Sequence, residues 1–149
     1  MTPADTAPRL RELDRDECLR LLGTAAVGRV VVLTAGGIPL IRPVNYVFDP
    51  ASQSVVFRCI EGTKLAALVR ASRAWFEVDE LEPSSLSGWS VIIAGVTEPV
   101  TQPMDVRRLD ALALQNWIAD PRSQWIRIRA RVVSGRRVEP SGVATEHGA

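Results

Sequence analysis

The chain has 149 residues, enough for one domain with a single core, and its 18 basic and 17 acidic residues give a net charge of +1. Bulk charge therefore provides no attraction to nucleic acid or to an anionic membrane. No apolar run approaches the ~20 residues of a membrane-spanning helix, and two separated cysteines, Cys18 and Cys59, predict a reducing compartment, so we expect a soluble cytoplasmic protein.

Local signals predict strands joined by turns and short helices. Residues 1–12 are polar and contain prolines, which predicts a flexible lead. Asp14 and Glu17 form a box-like cap for a helix that ends at Gly23. The elements that follow are strands at 27–34, 38–48 and 54–60, a short helix at 63–69, strands at 74–80 and 89–100, a helix from 103 to about 116, and a sixth strand at 125–138. Residues 139–149 are predicted to form a flexible tail.

This order of elements favours a mainly β protein. Six strands in sequence, joined by short connections and without regular βαβ units, bury their edges most easily in a closed or nearly closed antiparallel barrel. Gly95 lies inside the predicted fifth strand, where it indicates a bulge or a bend. We therefore predict one barrel domain over residues 13–138, with short flanking helices.

The stretch from Gly62 to Lys64 is typical of a helix start that binds an anion. Gly62 permits a sharp turn, and Thr63 is a good N-cap. Lys64, the only lysine among the 18 basic residues, then falls in the first turn, where the helix dipole disfavours a cation. A bound phosphate would resolve this conflict. The alternative is an ordinary capped helix whose lysine reaches into water or pairs with Glu61.

Two arginines interrupt apolar faces of predicted strands. Arg42 shares strand parity with Leu40 and Val44, and Arg58 shares it with Val56. A half-buried guanidinium favours a fixed anion, because its fork can bind phosphate or carboxylate through two hydrogen bonds. The phosphate at Lys64 is one candidate partner for both. The other is an internal ion pair with Glu77 or Asp79 of the fourth strand.

The second strand also contains Pro39 and Pro43, which lack a backbone donor. Proline confines a strand to an edge or leaves a gap in its pairing. Free carbonyl groups there, with the amide of Asn45, could recognise the rim of a flat heteroaromatic ligand. The alternative is an edge strand blunted against aggregation.

Short motifs occur in a fixed order along the chain: Arg42-Pro43-Val44-Asn45-Tyr46, Val56-Phe57-Arg58, Gly62-Thr63-Lys64-Leu65-Ala66, Gly88-Trp89-Ser90-Val91 with Gly95, and Trp125-Ile126-Arg127-Ile128 with Gly135-Arg136. This series resembles the pyridoxamine 5′-phosphate oxidase-like flavin-binding split-barrel superfamily, above all its short members, which include the 5-nitroimidazole reductases. The resemblance covers residues 13–138.

The resemblance implies a homodimer of six-stranded, Greek-key type split barrels with two flavin mononucleotide (FMN) sites between the subunits. Thr63 and Lys64 would hold the phosphate with Arg42 or Arg58, the segment 42–45 would border the ring, and Trp89 or Trp125 would reach in from the neighbouring subunit. The implied cofactor contacts are Arg42, Pro43, Val44, Asn45, Phe57, Arg58, Gly62, Thr63, Lys64, Trp89 and Trp125.

Departures from the family pattern limit what it implies. The last predicted strand ends in Ser134-Gly135-Arg136-Arg137-Val138, where the true oxidase carries a His-Asp-Arg stretch, so we do not expect vitamin B6 oxidation. Related split barrels bind a deazaflavin coenzyme or haem. Binding of a deazaflavin coenzyme is an open alternative. Haem is disfavoured, because His147, the only histidine, lies in a predicted tail and is a poor haem ligand there.

Catalytic side chains of the usual kinds are not indicated. The only histidine, His147, falls in the predicted tail, so neither a Ser-His-Asp triad nor a histidine metal site is indicated, and a bound cofactor would have to supply any chemistry. The resulting hypotheses are an FMN-dependent oxidoreductase that reduces a small nitroaromatic or quinone acceptor, and a non-catalytic flavin- or haem-binding module. A weaker hypothesis is nucleic-acid binding by a stripe of Arg127, Arg129 and Arg131. The stripe lacks a set of aromatic residues on which bases could stack, so a solvated strand face or a dimer rim is the favoured interpretation.

Overall fold

Antiparallel strands make up most of the molecule. The computed structural model describes residues 7–70, 72–112 and 120–140. In chain order its elements are β1 (Arg9–Glu12), α1 (Arg15–Leu22), β2 (Val27–Leu33), β3 (Pro39–Asp49), β4 (Ser54–Ile60), α2 (Lys64–Leu68), β5 (Arg73–Glu82), β6 (Ser87–Pro99), α3 (Pro103–Leu112), β7 (Ser123–Arg129) and β8 (Val132–Glu139).

The first helix begins where its cap predicts. The Glu17 N–H donates to the Asp14 carboxylate over 2.9 Å, and the Glu17 carboxylate accepts from the Asp14 N–H over 3.2 Å. The four apolar residues of α1 are buried, and the helix ends at Gly23. Capping and one apolar stripe together explain this helix.

Six strands close into a barrel, as the sequence predicts. The order β6-β5-β2-β3-β4-β7 returns to β6 through pairs such as Thr97 with Ile128 and Pro99 with Ile126. Its interior forms the main core, in which Phe57 and Phe76 are fully buried. A second apolar cluster, Val56, Val100, Leu109 and Trp125, packs outside the barrel beneath α3.

Gly95 lies where β6 changes partner. Its first half pairs with β8 as far as Ala94, and its end pairs with β7 from Thr97. A Cβ at Gly95 would lie 2.4 Å from the carbonyl oxygen of Arg129, so only glycine allows this close approach. Pairing with β5 continues through Gly95, so the predicted irregularity is not a bulge on that side.

Two strands extend the barrel beyond its six members, and the prediction of a single strand over 125–138 is wrong. The predicted sixth strand, 125–138, is two strands, because the Ala130 N–H donates to the Gln53 carbonyl and the Arg131 N–H turns back to Arg129. β7 therefore closes the barrel, while β8 pairs with β6. Within the predicted lead, Arg9–Glu12 forms β1 on the outer side of β8. None of the described helices is long and apolar enough to cross a membrane.

Candidate cofactor site at the open edge of β3

β3 has one side that β4 leaves unpaired. Over its first seven residues, 39–45, it pairs with β2 alone, and β4 joins it only from Tyr46 onward. The prolines are expected to confine this strand to an edge or to leave a gap in its pairing, and the structure shows the gap, since β3 lies between β2 and β4 in the sheet. We call residues 39–45, on the side away from β2, the open edge.

The two prolines occupy positions that cost the sheet no hydrogen bond. The Tyr46 N–H donates to Ala26, on the β2 side, over 3.0 Å. Backbone groups alternate along a strand, so the N–H and C=O positions of residues 39, 41, 43 and 45 point toward the open edge. Pro39 and Pro43 therefore remove donors only there. The open edge presents four carbonyl groups but only two N–H groups, those of Ile41 and Asn45.

Arg42 lies across this edge. Its side chain is exposed, and its Nη1 donates to the carbonyl oxygen of Ile41 over 3.0 Å. Ile41 is one of the residues whose carbonyl faces the open edge, so the guanidinium is held on that side. No acidic side chain of the described residues pairs with Arg42. The guanidinium retains donors for an anion.

α2 follows β4 and begins near the level of the open edge. The Thr63 hydroxyl accepts from the Ala66 N–H over 3.1 Å, which confirms the predicted cap. Gly62 adopts φ +83°, and the space around a Cβ built on it is empty for 4 Å. Lys64 is exposed and forms no ion pair with Glu61 or any other described residue. A free cation and open space therefore occur together.

The strand register brings Arg42 and the start of α2 to one level of the barrel. β3 pairs with β4 through Tyr46 and Phe57, and continuing that register would set Arg42 opposite Glu61, three residues before Lys64. The ladder stops at Tyr46, so β3 and β4 separate at this level. We infer from this register that a gap separates the open edge from α2, which packs its apolar side chains on the main core.

Arg58 belongs to a different surface. β3 and β4 alternate in step, so Arg42 has the parity of the main core, whereas Arg58 shares the side of Val56, outside the barrel. Its Nη2 donates to the Asp110 carboxylate of α3 over 2.6 Å, and its guanidinium lies 4.5 Å from the Trp125 ring centroid. The alternative of an internal ion pair is therefore found for Arg58, but with Asp110 and not with Glu77 or Asp79.

Glu77 and Asp79 instead bind Arg29, which the sequence analysis did not single out. Arg29 Nη1 donates to the two carboxylates over 3.0 and 3.1 Å on the outer face of β2 and β5. Burial, and then the neighbouring Asp79 carboxylate, raises the pKa of Glu77 to about 7, although Arg29 opposes the rise. The only sequence signal was one arginine inside a β-branched run.

A buried ion cluster fixes α3 to the barrel, and it too was missed. Asp49 is fully buried and accepts hydrogen bonds from both terminal nitrogens of Arg108 and, over 2.6 Å, from the Ser52 hydroxyl. Arg127 Nη2 lies 3.9 Å from the same carboxylate. Burial alone raises the pKa of Asp49, but the bonds from Arg108 and Ser52 outweigh it, and the pKa falls below its usual value. A solvated position for Arg127 is therefore wrong.

The other predicted contacts divide between the surface and the core. Pro43 and Asn45 are exposed on β3, and Val44 is half-buried against the main core. Phe57 is fully buried inside the barrel. Its side chain therefore packs in the core, while Pro43 and Asn45 are within reach of a ligand at the open edge.

The two tryptophans predicted at the site are largely covered by their own chain. Trp89 is 7% exposed in the main core, and Trp125 is 5% exposed beneath α3, where its Nε1 donates to Asp110 over 2.8 Å. A contact with a neighbouring subunit's cofactor stays a prediction for both. His147 lies outside the described residues.

These features describe a split barrel with two exposed cations near the level at which β3 and β4 separate. A family model described as pyridoxamine 5′-phosphate oxidase matches residues 14–137. The chain belongs to this family, and the resemblance found in its motifs is confirmed.

Individual relatives agree with this assignment. An uncharacterized protein of Mycobacterium tuberculosis, Rv0080, is 34% identical over 138 residues, which cover 89% of this chain and 88% of the relative. The FAD-binding protein of Mycobacterium smegmatis is 32% identical, with a TM-score of 0.77 over 89% of this chain and 100% of that one. An FAD-binding protein of Mesorhizobium loti shares the fold at 22% identity, with a TM-score of 0.73 over 89% of this chain and 99% of the other.

Proposed function

We propose that this protein is a flavin-binding oxidoreductase that works as a homodimer, holds FMN at the open edge of β3, and reduces a small nitroaromatic or quinone acceptor. The observation that carries the proposal is the pair of exposed cations, Arg42 and Lys64, which the strand register sets near one level of the barrel where β3 and β4 separate. Neither has an acidic partner among the described residues. The FAD-binding relative at 32% identity supports a flavin as the ligand.

The residues at the gap fit a flavin nucleotide. Arg42 and Lys64 supply charge-assisted hydrogen bonds to a phosphate, and Gly62 leaves room beside them. The carbonyl groups of the open edge and the two N–H groups of Ile41 and Asn45 match the alternating donors and acceptors on the rim of an isoalloxazine ring. A bound flavin supplies reversible hydride transfer, and the chain positions it and limits its access to water.

A homodimer is supported by the uncovered outer face of the large sheet. One row of directly opposed residues crosses five strands on that face and is apolar throughout: Ile41, Val31, Trp75, Ala94 and Val132. Ile41 is 54% exposed and Val132 is 66% exposed in the isolated chain, and the other three residues of the row are partly exposed. Burying an apolar surface of this kind against a second copy is favourable. The row begins at the open edge, so a partner subunit bound to it would lie next to the proposed flavin.

Cofactor titration tests the proposed ligand. Purified protein is stripped of bound small molecules, mixed with FMN, FAD, a deazaflavin coenzyme or haem, and followed by absorbance and by quenching of flavin fluorescence. We expect saturable flavin binding, and turnover with a reduced nicotinamide donor and a nitroaromatic or quinone acceptor. Flavin binding without turnover would favour a non-catalytic flavin module. Preference for deazaflavin or haem would replace the proposed cofactor, and binding of none would refute the proposal.

The dimer has its own test. Trp75→Glu places a charge in the middle of the apolar row, and we expect the protein to become monomeric in analytical ultracentrifugation. Met104→Glu is the matched control, because Met104 is 82% exposed on α3, away from that row. A monomeric wild type, or a dimer that survives Trp75→Glu, would contradict this interface.

The two free cysteines, both buried, also fit the reducing cytoplasmic compartment that we propose.

A further inference from the structure

A second basic cavity lies at the other end of β3, beside the turn that leads into β4. Its volume is about 340 Å³, near the lower limit of small-molecule sites. The residues that line it are Arg15, Ser52, Gln53, Arg129, Ala130 and Arg131. Half of them are arginines and none is acidic, so the cavity is electropositive.

Three separate segments are tied together to form this cavity. The Ala130 N–H donates to the Gln53 carbonyl over 2.9 Å, which joins the β3–β4 turn to the β7–β8 link. Arg15, the first residue of α1, donates from Nη2 to the Ala130 carbonyl over 2.9 Å and to Gln53 Oε1 over 3.1 Å. The guanidinium of Arg15 is therefore held in place before any ligand arrives, which lowers the cost of binding.

The arginines are only partly neutralised. Arg129 Nε donates to Glu98 over 3.1 Å. Among the described residues Arg15 and Arg131 have no acidic partner, and Arg131 is exposed at the rim. Gln53 uses its side-chain oxygen on Arg15, so its NH₂ group remains a donor. Two unneutralised guanidinium groups and an amide donor then face one cavity.

We propose that this cavity binds a small phosphate-bearing anion, at a site separate from the flavin and independent of it. Guanidinium groups bind phosphate oxygens through paired, charge-assisted hydrogen bonds, and three of them line one space here. The ligand chemistry is that of a diphosphate, either free or carried by a nucleotide.

Isothermal titration calorimetry of the intact protein with two probes tests the site. Inorganic pyrophosphate represents the free anion, and ADP represents a nucleotide. We expect saturable binding of at least one probe with one site per chain, weakened by added salt because the contacts are ionic. Tighter binding of ADP identifies a nucleotide ligand, and equal binding identifies the diphosphate group alone as the ligand. Failure of both probes to saturate overturns the proposal.

Matched arginine variants locate the binding. Arg131→Ala removes an exposed arginine of the cavity, and we expect the Kd to rise about fivefold or more, equivalent to losing one charge-assisted contact. Arg107→Ala removes an equally exposed arginine of α3, outside the cavity, and should change the Kd less than about twofold. Equal losses in both variants would mean nonspecific charge attraction. Displacement of the probe by saturating FMN would mean that it binds at the flavin site. Either result overturns the proposal.

Discussion

Replacing Asp49 by Asn tests the physical account of how α3 is fixed to the barrel. Asn keeps the size of the side chain but removes the charge that Arg108 and Arg127 share. Arg127 is 9% exposed, and its Nε has no hydrogen-bond partner among the described residues, so it would become a buried cation without an anion. Breaking a buried pair typically costs about 3–5 kcal/mol. Arg108 is 37% exposed and can recover water, so we expect about 3 kcal/mol.

Equilibrium urea denaturation, followed by tryptophan fluorescence at pH 7, measures this loss. Arg108→Gln leaves Asp49 with Ser52 and a distant Arg127, and should cost less than Asp49→Asn. The loss of unfolding free energy in the double variant should be smaller than the sum of the two single losses by at least about 1 kcal/mol, since both substitutions remove the same interaction. A loss below about 1 kcal/mol for Asp49→Asn, or strict additivity, would refute the reasoning.

The same variant carries a pH signature. The pKa of Asp49 lies below its usual 3.8 in the folded protein, because the bonds from Arg108 and Ser52 outweigh burial. Its stabilising effect is therefore fully present above the unfolded pKa and is lost as pH falls through the folded pKa. The wild type should lose more stability than Asp49→Asn on acidification below about pH 4.

Two further substitutions test other parts of the structure. The pKa of Glu77 is raised to about 7 by burial and by Asp79, so the wild type should lose stability as pH rises from the unfolded pKa of about 4.5 through 7, by no more than about 3 kcal/mol. Glu77→Gln should remove this slope in urea denaturation, and an unchanged slope would assign it to other groups. Gly95→Ala would set a Cβ 2.4 Å from a backbone carbonyl of β7 and should destabilise the barrel by at least about 1–3 kcal/mol. A thermal midpoint equal to that of wild type would contradict the close approach.

Local signals predicted those elements that local interactions determine. The capping box of Asp14 and Glu17, the cap at Thr63 and the apolar run within Ser54–Ile60 all act within a few residues, and the structure confirms each predicted element. The prolines of β3 predicted a gap in its pairing correctly, because a missing donor restricts pairing wherever the strand lies.

Contacts between distant segments were not predictable in the same way. Alternation continues through Ala130 and Arg131, so nothing local divides 125–138 into two strands that pair with different partners. β1 is exposed at all four positions and shows no apolar alternation. Arg58 binds Asp110, 52 residues further along, only because α3 packs over β4 and β7. Periodicity indicates which face a residue occupies, but not which element covers that face.

The affinities for FMN and riboflavin, compared in wild type and Lys64→Ala, test the central claim most directly. The two ligands share the ring and differ in the phosphate, which Lys64 and Arg42 are proposed to bind. We expect Lys64→Ala to weaken FMN about tenfold, the loss of one charge-assisted contact at an exposed position, and to leave riboflavin within about twofold. Arg107→Ala serves as the charge control. Equal weakening of FMN and riboflavin by Lys64→Ala would contradict the phosphate role of this lysine.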